Sequence, residues 1–288
     1  MIRIVSLLPS ATEILFAIGV GDQVVGITHE CDYPPEAQGL PRLTASSLPA
    51  AGTSAEIDRH VRKSLHEGSS LYHLDSGLLE QLKPDLIITQ ELCEVCAVSY
   101  HLVETAAKRL KSDHRILSLE PSSLEDVYAN IQTVGTITGA QDAANRLVGE
   151  MQSREDNLRA EYEHHAHPRT LVLEWTDPPM SGGHWTPGLV EIAGGMPVLC
   201  NPGQNSVVLD WDAIAKEAPD VIIVAPCGYD LEKTNQAIEG LQYLPEFAHL
   251  RAHREERVHA VDGNAYVNRP GPRLIDTAEI FARHIHQS

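Results

Sequence analysis

Apolar residues along this 288-residue chain gather into short runs separated by stretches with helical spacing. The runs at 2–7, 24–28, 86–89, 115–119, 170–174, 221–224 and 258–261 have strand length. Several are apolar at consecutive positions, as strands buried on both faces require. Between them the spacing predicts helices at 11–18, 54–68, 76–82, 99–111, 187–193, 210–217, 231–240 and 272–286. Ser10 reads as an N-cap with Glu13 three residues on, the spacing of a capping box, and Gly19 and Gly21 stop that first helix. Pro34, Pro35, Pro41 and Pro49 mark an irregular stretch to about Gly52.

From Ser122 to about His164 the pattern changes. Val127, Ile131, Val134, Ile137, Ala144, Leu147, Met151 and Leu158 recur at helical spacing, interrupted by Gly139. This predicts one helix, or two end to end, of about 40 residues against a usual length of about 11–12. Strand–helix alternation on both sides of that strut predicts parallel sheets flanked by helices. A faint internal echo agrees: helix, Pro84-Asp85 and strand at 78–88 resemble helix, Pro219-Asp220 and strand at 212–223. The expected class is α/β, with Rossmann-like lobes at 1–121 and 168–288 joined by one long α-helix at 122–167.

With 42% hydrophobic and 22% charged residues the composition is globular, and the length allows two domains. Twenty-two basic residues against 40 acidic ones give a net charge of −18. Nucleic acids and anionic membranes are bound through a surplus of Lys and Arg, so neither is expected as a partner. The acidic balance reads as a solvating surface. No apolar run is long enough to span a bilayer, so no membrane insertion is expected. Met1 leads straight into a strand without a charged and apolar leader, which predicts a cytoplasmic protein as written, or a periplasmic one if the start lies upstream. Five cysteines fit free thiols or metal ligands better than a disulfide framework.

Four of them, Cys31, Cys93, Cys96 and Cys227, stand a few residues past an expected strand, where open α/β sheets bind ligands. Cys93-Glu94-Val95-Cys96 has zinc, iron–sulfur or redox spacing. No second such pair exists, so Cys31, Cys227 and His29 or His184 would complete a metal site only through folding. Against this stands the role of a buried cysteine as a small hydrophobe, the preferred reading for Cys200. The chain carries no GxSxG elbow, P-loop, GxGxxG turn or HExxH, and Glu174 and Asp177 form no evident acid/base pair. The expectation is a binding protein and not an enzyme.

Ser6-Leu7-Leu8-Pro9-Ser10-Ala11-Thr12-Glu13, Pro84-Asp85-Leu86-Ile87-Ile88, Gly183-His184-Trp185-Thr186-Pro187 with Gly194-Gly195, and Asp262-Gly263-Asn264-Ala265-Tyr266 resemble the substrate-binding proteins of ABC importers for cobalamin and iron complexes. The likeness covers essentially the whole chain and is nearest to the vitamin B12 branch. It implies a class III periplasmic-binding-protein fold, a ligand cleft between the lobes, cobalamin or a related corrinoid as ligand, uptake, salvage or delivery as role, and an ABC permease as partner. Two features depart from it: members are exported, and the Cys31 loop and the Cys93–Cys96 pair are not part of the general pattern.

A flat macrocycle is held by aromatic faces with a few polar groups at its edge. Aromatic residues make up only 5% of the chain, and Tyr33, Trp175, Trp185, Tyr229 and Tyr266 fall in loops at expected strand ends. With His184 and Asn264 they form the expected ligand-binding set. Trp211, at a helix start, reads as packing. His29 is a candidate axial ligand to cobalt, weighed against a loop residue that satisfies its own backbone. His164-His165-Ala166-His167 reads as a solvated helix end. Two alternatives stay open: a zinc or iron–sulfur protein built on Cys31, Cys93, Cys96 and Cys227, and a corrinoid- or thiol-modifying enzyme with a cysteine nucleophile.

Overall fold

The computed structural model describes residues 2–47, 52–67, 71–90, 100–107 and 114–287. Two compact units divide the chain: Met1–Ala51 with Arg59–Glu120 and Tyr128–Val148, and Gly52–Asp58 with Pro121–Val127 and Gly149–Ser288.

The first unit is built on strands β1 (Ile4–Ser6), β2 (Val24–Ile27), β5 (Leu86–Thr89) and β6 (Arg115–Ser118), all parallel in the order β2-β1-β5-β6. Every residue of β1 and β5 is buried, which explains why neither strand alternates apolar and polar positions. Helix α1 (Pro9–Ala17) follows β1. Its start differs from the capping-box reading: Leu8 takes the flanking position without a side-chain cap, Pro9 enters the first turn, and Ser10 and Glu13 lie buried inside the helix. Proline suits that turn because the N–H it lacks would be orphaned there. A short antiparallel ribbon, β3 (Thr44–Ser46) and β4 (Tyr72–Leu74), lies in segments where the pattern predicts no strand. Helices α3 (Ser76–Leu82) and α4 (Tyr100–Ala107) complete this unit with the residues of α2 (Ser54–His66) from Arg59 onward; Ser54–Asp58 belong to the second unit. Val5, Leu7, Ile87, Leu79 and Val103 share its core.

The stretch from 122 to 167 contains two helices, α5 (Leu124–Thr138) and α6 (Gln141–Tyr162). Gly139 stands between them at φ +75°. Its N–H bonds the Thr136 carbonyl, and the Ala140 N–H bonds the Gly135 carbonyl at 2.7 Å. That paired closure ends a helix with a left-handed residue, a conformation glycine adopts without a Cβ penalty.

The second unit carries strands β7 (Arg169–Thr176), β8 (Pro179–Ser181), β9 (Met196–Pro197), β10 (Val221–Val224) and β11 (Val258–Ala260). Their order is β11-β10-β7-β8, with β9 also on β7; only β8 runs antiparallel. Helices α7 (Thr186–Ile192), α8 (Trp211–Glu217), α9 (Leu231–Leu241), α10 (Pro245–Ala248), α11 (Arg251–Arg254) and α12 (Leu274–His286) surround it. Asp210 and Asp230 cap α8 and α9 by accepting the Ala213 and Lys233 N–H groups. Phe247 is fully buried against Trp211, ring centroids 5.6 Å apart, which places Trp211 in the packing role expected of it. Phe247→Ala is expected to destabilise the second unit by about 3–5 kcal/mol, read by chemical denaturation.

On the same unit, His259 of β11 and His284 of α12 stack at 4.6 Å. Burial first, then His284 and Arg257, hold His259 down to about 4. Burial and Arg283 lower His284. The unfolded chain protonates these imidazoles near the ordinary 6.5, so it binds more protons than the folded one below that pH. Their share of stability is therefore complete above about pH 6.5 and is lost as pH falls toward 4. Melting temperature should decline over that window, and less steeply in His259→Leu.

Candidate functional site

In the second unit the carboxyl ends of three adjacent parallel strands deliver three loops to one edge of the sheet. The end of β7 supplies Glu174, Trp175 and Thr176. Trp175 is half-buried and meets Tyr229 edge-on, centroids 5.4 Å apart. Tyr229 itself is buried; its hydroxyl lies 3.3 Å from Ser54 Oγ, which pairs with Thr176 Oγ1 at 2.7 Å. Tyr229 thus backs the Trp175 indole. Cys227, in the same loop after β10, is exposed, and its N–H donates to the Glu174 carbonyl.

Past β11 the chain makes one wide turn at Gly263–Val267, capped by Asp262, whose carboxylate accepts the Ala265 N–H at 2.7 Å. Asn264 Oδ1 accepts from the Arg269 guanidinium at 3.1 Å, and Arg269 is buried. Tyr266 is half-buried, with the Arg273 guanidinium 5.4 Å from its ring centre. Neither arginine belongs to the set expected from sequence. The signal for them is Arg269-Pro270-Gly271-Pro272-Arg273, two cations on a proline-stiffened loop in an acidic chain.

The loop between β8 and α7 adds Gly182, Gly183, His184 and Trp185. Trp185 is buried, and its Nε1 donates to the Val267 carbonyl at 2.8 Å. This bond joins the loop to the turn that carries Asn264 and Tyr266. His184 stacks on Trp185 at 5.6 Å and has φ +52°. Burial lowers its pKa. Glu174 lies beneath the loop; its Oε2 is 3.4 Å from the Gly183 N–H, and burial pushes its carboxyl up.

In the first unit, Tyr33 is 44% exposed. His29 Nδ1 is engaged with Thr44 Oγ1 at 2.6 Å, and Nε2 lies 3.7 Å from Glu30 Oε1. Burial and then Arg42 lower the His29 pKa. The Cys31 thiol is wholly buried, 3.1 Å from Thr12 Oγ1, in the setting of a packed hydrophobe and not of an open metal ligand. Cys93 and Cys96 lie outside the described residues. Among the described residues no group of three or more His, Cys, Asp or Glu side chains is placed to hold a metal ion.

A family model described as Periplasmic binding protein matches residues 4–265. The chain belongs to this family. Members of known sequence that resemble it include the vitamin B12-binding protein of Vibrio cholerae, 22% identical over 287 residues that cover 96% of this chain and 86% of the relative. An ABC transporter substrate-binding lipoprotein of Bacillus subtilis (strain 168) is 25% identical, covering 99% and 80%. Among solved structures, the periplasmic heme-binding protein RhuT from Roseiflexus sp. RS-1 superposes with a TM-score of 0.72 at 23% identity, over 99% of this chain and 97% of that one. The α/β architecture with parallel sheets is thus that of a class III periplasmic binding protein. Within this periplasmic binding protein, the second unit brings Trp175, His184, Trp185, Tyr229, Asn264 and Tyr266 into one linked constellation; Tyr33 and His29 stand on the first unit. Among the described residues no helix is long and apolar enough to cross a membrane.

Proposed function

We propose that this chain binds a flat, metal-bearing macrocycle, a corrinoid such as cobalamin, without transforming it, and hands it to an ABC permease. The observation that carries the reading is the aromatic edge of the second unit: Trp175 backed by Tyr229, and His184 backed by Trp185, tied to the Tyr266 turn through Val267. Such an edge offers apolar faces with polar groups at their margins, the chemistry a macrocycle needs. The relatives named for vitamin B12 and for ABC substrate binding support the ligand class and the permease. A haem is the second reading, favoured by the guanidinium of Arg273 beside Tyr266, since carboxylates on a ligand rim pair with arginine. Lobes at 1–121 and 168–288 with the helical stretch 122–167 between them remain our functional division of the chain. Its site of action, periplasm or cytoplasm, follows from the permease.

Quenching of tryptophan fluorescence by cobalamin and by haemin tests the reading. Saturable quenching at one equivalent is expected, with Trp175→Ala weakening binding about tenfold or more. Absence of saturation with both compounds would remove the macrocycle from consideration. Cys93→Ser with Cys96→Ser should leave affinity within about twofold of wild type, a change of under about 0.5 kcal/mol. A loss of bound metal and of binding together would instead favour the thiolate alternative.

A further inference from the structure

His184 takes a left-handed backbone conformation, φ +52°, although it has a Cβ. Its N–H donates to the Gln204 carbonyl at 2.6 Å, and its own carbonyl accepts the Gly203 N–H at 2.9 Å. Segment 201–206 therefore straps the residue from both sides. Backbone strain of this kind raises the question of a task for the side chain.

The imidazole shows which task. Its Nδ1 is sealed from solvent and has no hydrogen-bond partner among the described residues. A neutral imidazole carries its proton on one nitrogen and a lone pair on the other. Orphaned buried N–H groups are rarer in proteins than under-satisfied acceptors, and on that ground we assign the lone pair to the sealed Nδ1 and the proton to Nε2. An imidazole that ligates a metal does the reverse: the binding nitrogen is bare, and the other N–H is given to an acceptor. Coordination through Nε2 would move the proton to Nδ1, where nothing receives it. Burial lowers the pKa of the ring, which disfavours its cationic form.

We propose that His184 meets the ligand as a hydrogen-bond donor through Nε2, directed at an uncharged carbonyl oxygen on the rim of the macrocycle such as a carboxamide, and not as an axial ligand to its metal. The inference rests on the macrocycle reading above. It matches the carboxamide rim of a corrinoid, and it leaves the metal's own axial ligands in place.

The probe is aquocobalamin, whose cobalt-bound water exchanges for imidazole with a change in its visible spectrum. Wild-type protein is expected to bind it saturably with the spectrum of the water-ligated form. His184→Ala should weaken binding about 3- to 10-fold, and His184→Gln, which keeps an N–H donor, should recover most of that loss. Should the alanine variant fail to fold, His184→Gln and His184→Met, similar in length and different in the donor, give the same comparison. A spectral change on binding that disappears with His184 overturns the inference by showing axial ligation. Equal affinity in wild type and variants overturns it by showing no contact. Saturable binding of haemin but not of aquocobalamin overturns the carboxamide assignment while the macrocycle reading stands. If neither compound binds the wild type, the macrocycle reading falls and this inference falls with it.

Discussion

Gly183→Ala is expected to dislodge the strap over His184 and weaken macrocycle binding by more than about tenfold, a change of at least about 1.4 kcal/mol. A Cβ at position 183 would stand 2.3 Å from the Ser206 nitrogen, 2.7 Å from the Asn205 carbonyl carbon and 2.8 Å from the Gln204 oxygen. All three are backbone atoms, so no rotamer change relieves the clash. The strap has to retreat, and with it go the Gln204 and Gly203 hydrogen bonds that set the His184 backbone. Overpacking of this kind also destabilises, by about 1–3 kcal/mol. Titration beside a denaturation curve separates the two effects: affinity should drop in protein that remains folded. Unchanged affinity in a folded variant would mean that the strap does not position the site.

Trp185→Ala should cost about 3–5 kcal/mol of stability, as expected for deleting a large buried aromatic. Its indole is 9% exposed, supports the His184 ring and bonds Val267 across 82 residues of sequence. Trp185→Phe keeps an aromatic ring but removes the donor and part of the indole, so it should cost at least about 1–3 kcal/mol, the penalty of leaving the Val267 carbonyl unsatisfied, with the cost of the space left behind added to it. If the indole N–H couples the loop to the Asn264–Tyr266 turn, the phenylalanine variant also loses affinity, even though neither Asn264 nor Tyr266 has changed. Full affinity in Trp185→Phe would reduce Trp185 to a packing residue.

The long-range frame was legible because parallel strands covered on both faces carry no polar alternation. Val221–Val224 and Leu86–Thr89 are buried at every position, and neither alternates apolar and polar residues. The ribbon of Thr44–Ser46 and Tyr72–Leu74 was not legible, since three residues are too few to establish a period. The four-residue helices after Leu244 escaped for the same reason. At the first helix, Ser10 and Glu13 matched a capping box, yet proline's fit to the first turn moved the start to Pro9.

The position of the candidate site followed from topology, because loops at the carboxyl ends of parallel strands converge whatever their sequence. The division of labour among its residues did not. Trp175 and Trp185 look alike in sequence, but a hydrogen bond to a distant carbonyl buries Trp185 and leaves Trp175 half-open. The left-handed turn at His184 depends on carbonyls and N–H groups some 20 residues onward. The Cys31 thiol looked available beside its strand until Thr12 was placed against it.

The most direct test of the account is to incubate the purified full chain with cobalamin, separate bound from free ligand by gel filtration, and analyse what the protein carries. The account predicts one equivalent of cobalamin co-eluting with the protein and recovered chemically unchanged. Failure to co-elute at protein concentrations well above micromolar, or recovery of an altered corrinoid, would contradict a non-catalytic corrinoid-binding protein.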